Sequence, residues 1–597
     1  MALSPIQKAN FATISRLLSC VINERLVKAF YQSFRHDLPE LTNSFAKSSL
    51  NHGVIFVLPE NDKIDNKNII VISMLHEPIL SKDQENDSTP TKVYFADPWD
   101  MTVPIYQIRY DPFQFVSLDE LKSIMTRPMN EREEISPSEF MSLLGVWMNL
   151  DDDKFIGKLC AELDSSVKFQ EYTYKNPQPT PSLLSSSIEW EQSLIEGHAL
   201  HPMHKSRFAL PPISEILPGT YDFQKPTIRF VEVPRDKTYL RGRWEENLNH
   251  LLDVMKKRPS CSPNSVLFPV HELQLPNIKE KFPYVKILPI EYSIEAYSQA
   301  SLRTLVVPDI PGFAFKLSLG IMVSSALRTI TPWTTHTGPE FIPIIKKLYI
   351  NKEILKISNA VASATVNEQN YDIAKHLSCI IREDFHDPSE NVIICAALTE
   401  RDENGISVVE KVWKLDTEEK RIKFLKRYSW LLFNAFLPPT LHNGFSFEAH
   451  SQNVLARFDS ASGQLIGFVI RDFGGIRYHQ DTLFASTGLR VNMLKDSCTE
   501  AKDLVEVYTK LYHTLILCHI YRLIRALNLH YSGVGWKIVR EHLSEIIPHD
   551  HLLWKLWLED KVTKLKCFMR MKCEKLYRAY IYRPIPNLIL YNYENEN

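Results

Sequence analysis

The sequence predicts an α+β, multidomain protein with mixed sheets and a helical C-terminal part, and three observations lead there. A chain of 597 residues is longer than one hydrophobic core normally organises, so several domains are expected. Strand-like apolar runs recur along the chain, while helical periodicity dominates its last third. A Pro- and Ser-rich stretch, KNPQPTPSLLSSS at Lys175 to Ser187, has little to bury and marks a connector.

Taken in order, Ile6, Phe11, Ile14, Leu17, Leu18, Val21, Leu26 and Phe30 recur at steps of three and four and predict a long opening helix. Between Val54 and Phe115 the runs VIFVL, IIVISML and KVYFA alternate with Asn, Asp and Pro segments, which predicts strands joined by loops. Helices around Ser138–Asn149 and Asp152–Glu171 complete a first unit, residues 1–185. A second, mixed unit, 186–365, carries the Pro-rich RPSCSPNSVLFPVHELQLPN and the strand-like TLVVPDI and AFKLSLGIMVSS. In the third, 366–597, NVIICAAL and LIGFVIRDF read as buried strands, and Thr417–Phe433, Ala501–Leu527 and Arg540–Leu558 as helices.

Composition narrows the function classes. Hydrophobic residues at 44% and charged residues at 23% are those of a globular protein. The 69 Lys and Arg against 71 Asp and Glu leave a charge of -2, no general field for a nucleic-acid backbone, so nucleic acid is not an expected partner. Any anionic ligand must then be gripped by a few placed cations. Nine scattered cysteines without a CxxC pair read as reduced thiols. The start lacks a basic segment followed by an apolar run, and Leu511–Leu527 is interrupted by His513, His519, Arg522 and Arg525. Neither signal peptide nor membrane span is expected, and the expected location is cytoplasmic.

Three constellations carry chemistry. In GHALHPMHKSR, Gly197–Arg207, His198, His201 and His204 precede Lys205 and Arg207. The alternatives are an anion site, a zinc site from HxxHxxH, and a solvated loop with capping histidines. In KLSLGIMVSSALRTITPW, Lys316–Trp333, an apolar strand runs into Ser324, Ser325, Arg328 and Thr329. Arg328 there either grips a carboxylate or phosphate or makes an ordinary ion pair. In GFSFEAHSQNVLARFD and LIGFVIRDFGG, Glu448, His450, Gln452, Asn453 and Asp472 are either magnesium and triphosphate contacts or incidental polar residues on core strands. Asp472-Phe473-Gly474 matches a kinase signature, but no GxGxxG, Walker A or HRD string accompanies it.

In this order, GHALHPMHK, SSALRT, and EAHSQN with RDFGG, together with IIRED at Ile380–Asp384, resemble the NRPS-independent siderophore synthetase family, which includes aerobactin, achromobactin and rhizoferrin synthetases. The resemblance implies a cupped hand of thumb (1–185), fingers (186–365) and palm (366–597). It implies that ATP and a polycarboxylate such as citrate form an acyl-adenylate, which an amine then attacks; a diamine such as putrescine is the expected nucleophile. By motif position His201, His204, Lys205, Ser325, Arg328 and Thr329 would contact phosphates and carboxylate. Glu448, Gln452, Asn453 and Asp472 would surround the nucleotide, with Glu448, Asn453 and Asp472 holding Mg2+. His450 would face both substrate and adenylate, and a homodimer is the family prior. Ala209 and Ala199 stand where the family usually has glycine and proline. The competing readings are a small-molecule kinase of the aminoglycoside phosphotransferase type and a ligand-binding scaffold without turnover.

Overall fold

The computed structural model describes residues 3–33, 52–61, 68–81, 91–109, 132–324, 326–402, 404–576 and 581–592. Its first unit is a seven-stranded antiparallel sheet whose central strands are Val27–Ser33, Gly53–Pro59, Asn68–Met74 and Met101–Arg109. Period-two alternation places Ile55, Val57, Ile70 and Ile72 on one face, where they share a core with helices Pro5–Asn23, Pro137–Trp147 and Asp153–Lys175. The opening helix starts on a capping box between Ser4 and Gln7. It is shorter than its periodicity suggested: the chain leaves the helix at Glu24, Arg25 takes a left-handed φ of 58°, and the following residues enter the sheet. Leu26 therefore continues the apolar pattern as a residue leading into a strand, a switch that three-and-four spacing cannot register.

The second unit is a six-stranded antiparallel sheet, ordered Thr238–Gly242, Ala360–Val366, Ser378–Glu383, Phe313–Leu317, Thr304–Val306 and Tyr297–Ser298. It shares a core with a four-stranded sheet centred on Thr227–Pro234. The expected boundary at residue 365 cuts this sheet: it falls inside strand Ala360–Val366, whose partner Ser378–Glu383 lies on the other side. Composition reports where a chain is soluble or apolar, not which strands pair, and the IIRED string sits on the strand that crosses the line.

The third unit is built on the hairpin Val454–Asp459 and Leu465–Ile470, flanked by Glu390–Ile394 and, in parallel, by Leu355–Ile357. Helices Glu418–Asn443, Leu504–Leu511, Tyr521–Ala526 and Val534–Ile546 cover it in one large core. Nine residues wound as π-helix, Tyr512–Ile520, link the second and third of these helices. Among the described residues no helix is long and apolar enough to cross a membrane.

Candidate active site

Two of the sequence motifs are neighbours through a small sheet. Strand Phe208–Ala209, directly after the first motif, pairs with Ile321–Val323, which turns into Ala326–Leu327 and Arg328. The Ser324 amide also donates to the Met203 carbonyl at 3.2 Å. Ala209 is an ordinary extended residue opposite Ile321. The third motif is assembled by the palm hairpin: Val454 pairs with Ile470, so Asn453 and Arg471 emerge side by side, with the Arg471 amide donating to the Asn453 carbonyl at 3.1 Å.

These segments converge on one cleft of about 620 Å³, lined by His204, Lys205, Arg207 and Arg328 and by Glu448, His450, Gln452, Asn453 and Asp472. Two lining residues, Ser324 (φ 49°) and Asp472 (φ 67°), hold left-handed backbone, which costs energy outside glycine and clusters at functional sites. His201 and Thr329 are buried outside the lining: the His201 ring packs 5.2 Å from that of Phe568, and the Thr329 carbonyl accepts from Arg303. Because successive residues of an extended segment face opposite ways, Arg328 in the lining places Thr329 behind it. Ser325 lies outside the described residues.

The three motif histidines do not converge on a common point. His198 Nδ1 accepts from Leu200 N at 3.3 Å, His201 Nδ1 from Met203 N at 3.1 Å, and His204 Nε2 lies 2.9 Å from Gln170 Oε1. Among the described residues no three His, Cys, Asp or Glu are placed to hold a metal ion, which disfavours the zinc alternative. Burial, and after it the neighbouring Arg207, push the Lys205 ammonium down to about 8. Burial and Arg328 push the Arg207 guanidinium to about 9. This wall concentrates positive charge that its surroundings disfavour, and an anion would relieve it.

Burial alone would raise the Glu448 carboxyl, but Lys510 at 2.5 Å overrides it and holds it at about 2. Asp472 is held far below the carboxylate range in the same way by Lys316 at 2.6 Å, with Arg303 and Arg382 adding to the effect. Asn453 Nδ2 donates to the Glu448 carbonyl at 3.2 Å. Two ionised carboxylates and an amide oxygen beside one cleft are the hard-oxygen donors that magnesium takes, so the residues present fit that ion. His450 is kept neutral by burial, against the opposing pull of Glu448. A Cβ on Gly475 would meet the Glu448 carboxylate at 2.1 Å, so a larger residue there would have to displace that carboxylate.

Several lining or supporting residues were not singled out from sequence. Arg471 makes a bidentate pair with Glu191 at 2.5 and 3.1 Å. Gln299 Oε1 accepts from Arg471 at 3.1 Å and from Arg382 at 2.6 Å, tying fingers to palm beneath the cleft. Lys316 had a visible signal, as the lone charge inside the apolar strand FAFKL, a costly placement without a partner; Arg382 stands beside Glu383 at the end of SCIIRE. Arg303 and Gln299 offered none.

Residues 186–400 match the model described as the IucA / IucC family, and residues 423–580 that described as ferric iron reductase FhuF-like transporter. The NRPS-independent siderophore synthetase rfs of Rhizopus delemar is 41% identical, over 98% of this chain and 96% of its own length. The chain belongs to the NRPS-independent siderophore synthetase family. A further relative, the D-ornithine–citrate ligase of Staphylococcus aureus, is 24% identical over 60% of this chain and 61% of its own. Among solved structures, that of ATP-bound aerobactin synthetase IucA from a hypervirulent pathotype of Klebsiella pneumoniae superposes with a TM-score of 0.67 at 14% identity, covering 98% of this chain and 99% of that one. At that identity the likeness is one of fold, and it confirms the α+β class.

Proposed function

We propose that this family member is an ATP-dependent ligase that adenylates citrate or a similar polycarboxylate and transfers the acyl group to an amine, with a diamine such as putrescine as the favoured nucleophile. The observation that carries the proposal is one cleft lined both by Lys205, Arg207 and Arg328 and by Glu448, Asn453 and Asp472. The relatives' names support it: one is a citrate ligase, and a structure of the same fold was obtained with ATP.

The chemistry follows from the charges. A carboxylate resists amine attack until one oxygen becomes a good leaving group. A citrate oxygen attacks the α-phosphorus, the bond to the bridging oxygen breaks, and pyrophosphate departs with the electron pair. Lys205, Arg207 and Arg328 are placed to stabilise the charge that builds on those oxygens. Glu448, Asn453 and Asp472 would hold magnesium, which when bound screens the triphosphate. The amine nitrogen then adds to the acyl carbon, AMP leaves, and neutral His450 is available to accept the proton the nitrogen loses. No covalent enzyme intermediate is needed.

Incubation with ATP, magnesium and citrate, with and without a panel of amines, tests this. AMP and pyrophosphate are the expected nucleotide products, and ADP would instead mark a kinase. Absence of both pyrophosphate and ADP with every carboxylate tried would leave only a binding scaffold.

A further inference from the structure

Loop 193–207 presents His204 and Lys205 to the cleft, and much of what holds it lies outside the motifs. Gly197 sits at φ 74°, so the loop bends sharply just before the histidines. The Glu400 carboxylate, from the palm, accepts from the Glu196 amide at 3.1 Å and the Gly197 amide at 3.1 Å. Arg16, from the opening helix and only 3% exposed, donates Nη2 to Glu196 Oε2 at 2.5 Å and Nε to the His198 carbonyl at 3.3 Å. Its Nη1 is anchored on the Ala12 carbonyl at 2.7 Å, and Tyr174 adds its hydroxyl to Glu196 Oε1 at 2.7 Å. A helix residue that only filled space would be served by an apolar side chain; Arg16 instead spends its fork on the bend.

We infer that Arg16 and Glu400 are positioning residues of this enzyme, holding the Glu196–His198 segment by separate contacts so that Lys205 faces the phosphates of the nucleotide. The inference rests on the reading of the cleft as a nucleotide site. It gives the first unit, which carries no motif, a part in the chemistry. The clamp is also electrostatic. The charged groups acting on Lys205 are Arg207, Glu400, Glu196 and Arg16; the two carboxylates raise its proton affinity and the two arginines lower it.

Equilibrium titration of the full chain with ATP and magnesium, from pH 7 to pH 9, tests the clamp without requiring turnover. Arg16→Met is expected to weaken ATP binding by about tenfold or more, the scale of losing one aimed charge-assisted contact. Burial and Glu196 push the Glu400 carboxyl up to about 7, so it acts on Lys205 as an anion over the upper part of this range; Glu400→Gln keeps an oxygen for the two amides but removes that anion. The fall of ATP affinity with rising pH should then begin about half a pH unit or more lower than in wild type. A purely structural role would not move that profile. If Arg16→Met does not fold, Glu400→Gln decides. Affinities of the folded variants within about twofold of wild type, with an unshifted profile, would overturn the inference. ATP binding by wild type without pyrophosphate release would sink the ligase reading and leave the clamp standing, whereas failure of wild type to bind ATP would sink both.

Discussion

On the fingers wall of the cleft, the cations rest on neutral oxygens: Lys205 Nζ on the Leu194 carbonyl at 2.8 Å and Arg207 Nη1 on the Ser206 carbonyl at 2.9 Å. On the palm wall, Lys510 and Lys316 rest on carboxylates, Glu448 at 2.5 Å and Asp472 at 2.6 Å. On the first wall burial and neighbouring arginines depress the proton affinities of Lys205 and Arg207, while Glu400 and Glu196 pull that of Lys205 the other way. The second is neutralised within the protein, and its acids stay ionised through the physiological range. On the function proposed above, one wall would receive charge and the other would present fixed oxygen donors.

The largest effect should come from Arg328 in the cleft lining. Arg328→Ala is expected to lower citrate-dependent pyrophosphate release by about a hundredfold to a thousandfold, the scale for removing one aimed donor from a developing anion. The thermal midpoint should change little, because the residue lies at a strand end with its guanidinium in the cleft lining. A wild-type rate would mean that the positive cluster serves the fold rather than the ligand.

A smaller loss is expected at His450, another lining residue. His450 lies in the third motif, and its ring nitrogen accepts the Gln452 amide at 3.2 Å. His450→Ala should slow turnover by about tenfold to a hundredfold, with a larger effect on amide formation than on ATP affinity if the ring receives the amine's proton. Equal losses in both, measured by comparing nucleotide titration with single-turnover amide yield, would move His450 from proton transfer to binding.

How far the site was legible follows from the same contrast. The receiving wall stood out because cations and hydroxyls crowd into short strings, Gly197–Arg207 and Ser324–Thr329, and local density is what a sequence displays. Within those strings the sequence did not separate Lys205, in the lining, from His201, packed behind it on Phe568, since that depends on where the loop bends. Glu448, Asn453 and Asp472, which line the cleft, stood out in the sequence, but their pairing with lysines did not. Lys316 comes from another sheet and Lys510 from a helix 62 residues further on, and such pairings exist only after folding. The fold class, the long helices and several buried strands were readable from periodicity. The exceptions were the end of the first helix and the boundary at 365, where a strand switch and a non-local pairing overrode local pattern.

The smallest effect is a difference in pH response between the walls. Lys205 titrates at about 8, and its ammonium, present below that value, is the form that grips phosphate, so kcat/KM for ATP should fall as pH rises through about 8. The limb should steepen toward tenfold per pH unit. In the complex a bound phosphate favours the charged form, so the corresponding limb in kcat should appear at higher pH than the limb in kcat/KM. The palm wall predicts the reverse silence: Glu448 titrates at about 2 and Asp472 lower still, so these two carboxylates add no acid limb between pH 5 and pH 7. A shared alkaline limb at one pH in both parameters would show that Lys205 does not touch the nucleotide. An acid limb in that window, lost in Glu448→Gln, would show that the palm acids are not held ionised by their lysines.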